Sequence, residues 1–285
     1  MAEEKLMTEK EWKEKQTRKT RKKHIRNALA LILVAVISVV GTLAYLSKKT
    51  TQTKNVFKGS SGLDLSLYEP KWESNKANSY TPSQELDKDP QLVNGSEWTD
   101  DASKDKEIQD TEVTSTSDHT EYVAMRVDFI DGDESSTTFT TYGNLVNNVI
   151  KPISFTTDKW TLVKILKDGT SWMNASNSDV ETTKLTADAK DAKSMIFLYK
   201  SSNTLTELTK KGHTEALFQK IQIRNGGTTD PIKNLDGTGP AKTGDFPTFT
   251  IVVKGAAVDK ASYDGTTGHE LSQAETDLVS LLTTN

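Results

Sequence analysis

His269-Glu270-Leu271-Ser272-Gln273 comes within one residue of a zinc-protease helix, in which two histidines four positions apart grip the metal from one face. Gln273 stands where the second histidine must be, and one imidazole cannot build that site. The other histidines beyond the N-terminal leader, His119 and His213, lie far away in unlike contexts. Asp131-Gly132-Asp133-Glu134 clusters carboxylates of the kind calcium prefers. Its spacing completes no calcium loop, however, and Asp-Gly after a strand is an ordinary turn; Asp100-Asp101 reads the same way. The chain has no cysteine, so a thiol nucleophile is excluded, and neither a Gly-x-Ser-x-Gly elbow nor a phosphate loop is present. Trp72, Trp98, Trp160 and Trp172 could line a sugar-binding surface. Trp160 and Trp172 flank one hairpin, where core or cross-strand packing is the simpler reading. The expectation is a protein with no catalytic residues, no metal and no cofactor.

The elements that would have to position such groups begin with an export signal. Asn27 to Ser47 is a run of 21 uncharged residues, and Arg18, Lys19, Arg21, Lys22, Lys23 and Arg26 stand just before it. Basic residues resist translocation while an apolar stretch enters the bilayer, so everything after Lys48 is expected outside the cytoplasm. Kept intact, the run is long enough to anchor the chain. Cut as a signal peptide, it offers Thr42 and Ala44 at the −3 and −1 positions of a bond before Tyr45. Cleavage there divides the chain into a leader, residues 1–44, an extended segment, 45–58, and a domain, 59–285. The segment from Tyr45 to Lys58 would then be a free, hydroxyl-rich N-terminus ending in Val56-Phe57. Such a strand can pair with an open sheet edge on a neighbouring subunit, fold into its own sheet, or serve as a linker.

The junction Gly41-Thr42-Leu43-Ala44-Tyr45-Leu46-Ser47, followed by Asn55-Val56-Phe57-Lys58-Gly59, resembles the alternate signal peptides cut by SipW-type signal peptidases. The family is that of TasA, camelysin and related exported proteins of Gram-positive bacteria. Gly62 to Trp72, Lys88 to Asn94, Tyr122 to Val127, Ala216 to Ile221 and the strand around Phe249 to Val258 are similar too, so the resemblance runs in pieces over most of the chain. It implies a secreted subunit of a cell-surface or biofilm-matrix fibre, built by donor-strand exchange. Carried onto this sequence, the donor strand would be Thr50 to Phe57, with Thr50, Thr51, Thr53, Val56 and Phe57 as its pairing residues. The implied partners are further copies of the chain, joined head to tail, and a SipW-type signal peptidase, with transient membrane contact during export.

Composition agrees with an exported, non-catalytic protein. Residues 1–44 hold 10 Lys and Arg against 5 Asp and Glu, which leaves 26 against 35 in the remainder. That acidic surface argues against nucleic acid, whose phosphates demand a basic footprint. Without disulfides, an exported domain of this size must be held by its core.

Period-2 alternation dominates after the leader. Leu63, Leu65 and Leu67 alternate with Asp64 and Ser66, and Val123, Met125, Val127 and Phe129 with Ala124, Arg126 and Asp128, as in half-buried strands. Trp160 to Lys167, Asp168-Gly169 and Thr170 to Met173 read as a hairpin. Met195 to Tyr199, Ile221 to Arg224 and Phe249 to Val258 supply further strands. The fold class expected is all-β, an antiparallel β-sandwich or jelly roll with long loops and a few peripheral helices. One helix is placed at 273–282, opened by the capping box Ser272-Gln273-Ala274-Glu275, and a second at Thr214 to Lys220. Residues 73–88, 97–120 and 228–247 read as long loops, of which 97–120 has too few apolar residues to pack and is expected to be mobile.

Two other functions fit the same features. A secreted, camelysin-like, metal-dependent protease would need a histidine or carboxylate cluster assembled from distant positions. A membrane-anchored surface adhesin or binding module would keep Ala28 to Leu46 as its anchor.

Overall fold

The structure is a computed structural model that describes residues 42–45, 55–58, 63–68, 81–94, 97–99, 112–114, 119–133, 135–168, 171–201, 203–239, 246–263, 265–266 and 269–283. The chain divides into two units, residues 1–37 and 38–285, and all described residues belong to the second. The first strands in chain order are β1 (Thr42–Tyr45), β2 (Asn55–Lys58), β3 (Asp64–Tyr68), β4 (Glu85–Asp87), β5 (Gln91–Asn94), β6 (Glu97–Thr99) and β7 (Glu112–Thr114). They are followed by β8 (Glu121–Asp131), β9 (Trp160–Leu166), β10 (Trp172–Asn174), β11 (Ser194–Ser201), β12 (Thr204–Leu205), β13 (Lys220–Gln222) and β14 (Phe249–Asp259). Helices are few among the described residues: α1 (Tyr142–Asn148), α2 (Ala187–Asp191) and α3 (Leu271–Thr283), with two short 3₁₀ turns. The fold is therefore mainly β, and every strand pairing is antiparallel.

One sheet organises the domain, with strand order β1-β14-β8-β11-β9-β10 and β12 added to β11. At its centre β8 and β14 pair over eleven residues, from Glu121 opposite Asp259 to Asp131 opposite Phe249, without a bulge. The alternation expected for β8 is present: Val123, Met125, Val127 and Phe129 share one face with Met195, Phe197, Ile251 and Val253. Against that face lie Leu65 and Leu67 of β3 and Leu92 of β5, from the smaller sheet β2-β3-β5. Contact is closest at Gly255, where an added Cβ would sit 2.5 Å from Leu92 Cδ2, so a side chain here has no room.

The other face of β8 departs from the half-buried expectation. Tyr122 and Ala124 join Ile196, Leu198, Ala256 and Val258 beneath Ala274, Leu278 and Leu282 of α3. Burying each of those leucines contributes roughly 1.5–3 kcal/mol. Arg126 and Asp128 are enclosed as well, each 2% exposed. They survive burial because they are paired. Arg126 Nε donates to Asp128 Oδ1 at 2.6 Å, and Lys254 Nζ lies 2.9 Å from Asp128 Oδ2. Arg126 Nη1 donates to the Leu282 carbonyl at 2.8 Å, and the guanidinium stacks 5.1 Å over the Trp172 ring. Two cations and one carboxylate leave an excess positive charge, and it sits where the C-terminal dipole of α3 is negative. Lys200 with Glu275, and the Tyr263 hydroxyl with Asp277, fix the rest of the helix at 2.7 Å each.

Other expectations change in detail. The C-terminal helix begins earlier than 273, because Gln273 and Ala274 donate their N–H groups to the Glu270 carbonyl. Ser272 therefore lies inside α3 rather than capping it, and Glu275 turns to Lys200. The helix expected from Thr214 to Lys220 is absent. Its main chain is taken by other segments: Thr214 N–H bonds Leu92 O, Leu217 N–H bonds Pro90 O, and Phe218 bridges Phe155. Leu217 and Phe218 are adjacent and both fully buried in the core. The stretch 97–120, expected as one mobile loop, contains β6 and β7 paired with each other, Trp98 opposite Val113. Trp160 and Trp172 flank a real hairpin but do not pair, since Trp172 stands opposite Leu166. Trp160 is a core residue, fully buried, with Nε1 donating to the Glu215 carbonyl at 3.0 Å.

Candidate functional site

The two margins of the seven-stranded sheet are built differently. On the β9 side the chain closes the edge itself. Strand β10 pairs with Lys164, Ile165 and Leu166. Beyond it, the Asn177 side chain stands in for the next strand. Its Oδ1 accepts from Leu162 N–H at 2.7 Å, and its Nδ2 donates to the carbonyls of Thr157 and Trp160 at 2.9 and 3.1 Å. Ala175 N–H adds a bond to the Val163 carbonyl at 3.1 Å. Opposite β11 the register shifts, with Lys164 facing Ile196 and Leu162 facing Phe197, so Val163 is the extra residue of a bulge. Plugged, bulged and short, this edge has the devices that discourage strand addition.

On the β14 side the closure among the described residues is one short strand. β1 pairs with it over four residues: Thr42 opposite Val253, Leu43 opposite Val252, Ala44 opposite Ile251 and Tyr45 opposite Thr250. No other described strand pairs on that side. The outward groups can be identified. Phe129 donates its N–H to Lys193 O and accepts Thr140 N–H, and Asp131 donates to Thr138 O, all on the far side of β8. The residues opposite them, Ile251 and Phe249, must then turn their main-chain groups away from β8, as in non-hydrogen-bonded antiparallel pairs. By the same alternation Val253, Gly255 and Ala257 also face outward.

Thus Thr42, Ala44 and Tyr45, the residues of the expected cleavage signal, are brought together on the rim of the largest sheet. Val56 and Phe57 lie in β2, opposite Ser66 and Leu65 of β3, where β2 is the terminal strand of the smaller sheet. Thr50, Thr51 and Thr53 lie outside the described residues. Asn177 and the outward groups of β14 escaped the sequence reading. Asn177 sits in a Ser-Asn-Ser-Asp cluster that announces a turn, but nothing local reveals which strand it plugs.

The residues that could have done chemistry are dispersed. His269 Nδ1 lies 2.8 Å from the Ser262 carbonyl ahead of α3, and His213 Nδ1 lies 3.2 Å from Thr214 O. His119 pairs with Asp259 at 2.9 Å, beside the end of β14. Asp133 accepts from the Ser135 hydroxyl at 2.6 Å and from its N–H at 3.0 Å. The Ser135 hydroxyl, followed by that N–H, holds the carboxyl below the usual range. The Ser136 hydroxyl is turned onto the Asp131 carbonyl, so this is a self-bonded turn. Asp100, Asp101, Glu134 and Trp72 lie outside the described residues. Among the described residues no group of three or more His, Asp or Glu side chains could hold a metal ion, and no helix is long and apolar enough to cross a membrane.

Asp230, a carboxylate with three partners, is structural. Burial would raise its pKa, but bonds from Lys151 and the Asn225 N–H, with the charge of Arg224, hold it low. It ties the loop after β13 to the start of the segment 151–155.

No protein-family model matches the chain, and no curated protein and no solved structure is significantly similar to it.

Proposed function

We propose that the chain is an exported structural subunit that joins copies of itself head to tail, by strand donation, into a cell-surface or biofilm-matrix fibre. It has no catalytic cycle on this reading. One observation carries it: β1, which straddles the expected cleavage bond, and β2, in the extended segment after it, are both terminal strands of their sheets. A terminal strand tethered by a connector can be supplied by a neighbouring copy with the same hydrogen bonds, and a head-to-tail exchange that does not close gives a filament. The basic leader, the apolar run and the piecewise resemblance to TasA-like exported proteins support the same reading. Two facing antiparallel sheets sharing one core suit a β-sandwich of the jelly-roll kind.

Pairing of β2 with β3 places Asn55 to Lys58 in the smaller sheet. If Asn55 to Lys58 stay in place, the donor is Tyr45 to Lys54, ten residues that reach ~33 Å when extended. A chain beginning at Asn55 should remain folded, soluble and monomeric, whereas one beginning at Tyr45 should form filaments. Filaments of the shorter chain in negative-stain micrographs would overturn strand donation.

A further inference from the structure

The four residues that close the β14 edge straddle the bond expected to be cut. Thr42, Leu43 and Ala44 lie on the leader side of it and Tyr45 on the other, and all four are paired to β14. Hydrolysis adds one water across the Ala44–Tyr45 bond, leaving a carboxylate on Ala44 and an ammonium group on Tyr45. Three of the four pairing residues then leave with the leader. A single residue cannot hold a ladder, so the N–H and C=O groups of Ile251 and Val253 lose their partners.

From this we propose that Thr42–Tyr45 is a built-in guard. In the uncut chain it occupies the acceptor edge of β14, and cleavage before Tyr45 opens that edge to the N-terminal strand of a second copy. This rests on the strand-donation reading and adds to it the acceptor and its control. One cut creates both halves of the joint, a free donor beginning at Tyr45 and an edge vacated at Thr250 to Val253. Assembly is thereby confined to the side of the membrane where processing has occurred. The alternative acceptor, the β9 side, already has its outward groups occupied by β10 and Asn177.

The pairing can be tested directly because the chain contains no cysteine. Val252 turns its main-chain groups toward β8, so Leu43 and Val252 form a non-hydrogen-bonded pair. Such pairs hold Cα atoms ~4.5 Å apart, within disulfide range. Leu43→Cys with Val252→Cys should cross-link on oxidation of the uncut full-length chain in detergent. The oxidised chain should form no filaments under conditions where the chain beginning at Tyr45 does. A second measurement needs no substitution: the Ile251 and Val253 amides should exchange about tenfold or more slowly in the uncut chain than in the cut monomer. Absence of both the cross-link and the protection would overturn the guard while leaving strand donation standing. Filaments formed equally fast by the uncut chain would also overturn it. If the cut chain forms no filaments although the cross-link and the protection are present, it is strand donation that falls, and the guard with it.

Discussion

At one margin of the seven-stranded sheet, the outward groups of β9 are taken up by its own hairpin partner and by one asparagine side chain; at the other, those of β14 are taken up by four residues of the leader junction. The first closure is covalently continuous with the core, carries a bulge, and survives any processing of the N-terminus. The second depends on a segment about two hundred residues away in sequence, within the C-terminal end of the apolar run itself. An edge strand is a template for further pairing unless it is blunted. On the proposed reading, a permanent plug and a removable one on the same sheet would give a subunit that adds strands in one direction, which a filament requires and a closed monomer does not.

The comparison is most severely tested by removing the donor. A chain starting at Asn55 should lose filament formation entirely while its circular dichroism and melting temperature change little, because β2 and the core are retained. Next in size is Arg126→Met, which strips the α3 C-terminus of its cap and leaves Asp128 with Lys254 alone. Breaking such a buried network by removing one partner costs about 3–5 kcal/mol, measurable by urea unfolding. Because Arg126 lies in the middle of the sheet, the loss should weaken both margins and leave their difference intact. Asn177→Ala acts on the sealed margin. It leaves the Leu162 N–H and two carbonyls unpaired, at about 1–3 kcal/mol, and should make the soluble chain starting at Asn55 self-associate in sedimentation; a monomer would mean that β10 and the bulge alone suffice. Gly255→Ala forces the new methyl against Leu92 and should also cost about 1–3 kcal/mol, with slower or shorter filaments. The smallest effect is with acid. The Asp230 carboxyl is depressed in the folded chain, so its stabilisation is present above the ordinary aspartate pKa of ~3.9 and is lost as pH falls through the folded value. The loop after β13 should loosen below about pH 4, and Asp230→Asn should flatten that part of the stability curve while neither margin responds.

Much of the sheet was legible because strands announce themselves through period-2 alternation. Val123 to Phe129, Phe249 to Val258 and the hairpin around Asp168 show it, although only the structure pairs the first two with each other. The helices at 142–148 and 187–191 were missed because Gly143 and three asparagines are poor helix formers, and five residues are too few to show a period. Their one local signal was the threonine before each, since Thr141 and Thr186 cap them through their hydroxyls. The segment 214–220 has the composition of a helix, but its backbone is claimed by Leu92, Pro90 and Phe155. Nor could alternation reveal that Arg126 and Asp128 lie inside the protein. A charged residue between apolar ones reads as solvent-facing unless the element that covers it is known.

By itself the sequence determined a β-rich chain behind a basic stretch and an apolar run, with no thiol chemistry, no histidine pair at zinc-binding spacing and an acidic balance after residue 44. These follow from residue type and short-range period, which are local properties. Which edge is plugged, which is held by a few residues near the leader, and why a buried arginine is tolerated were decided only by the tertiary structure. Each depends on groups far apart in the chain meeting across a sheet: Asn177 on β9, Thr42 to Tyr45 on β14, and Leu282 over Arg126. Main-chain hydrogen bonds and buried charges must be satisfied by whatever partner the fold brings near, and short-range pattern carries no record of that partner.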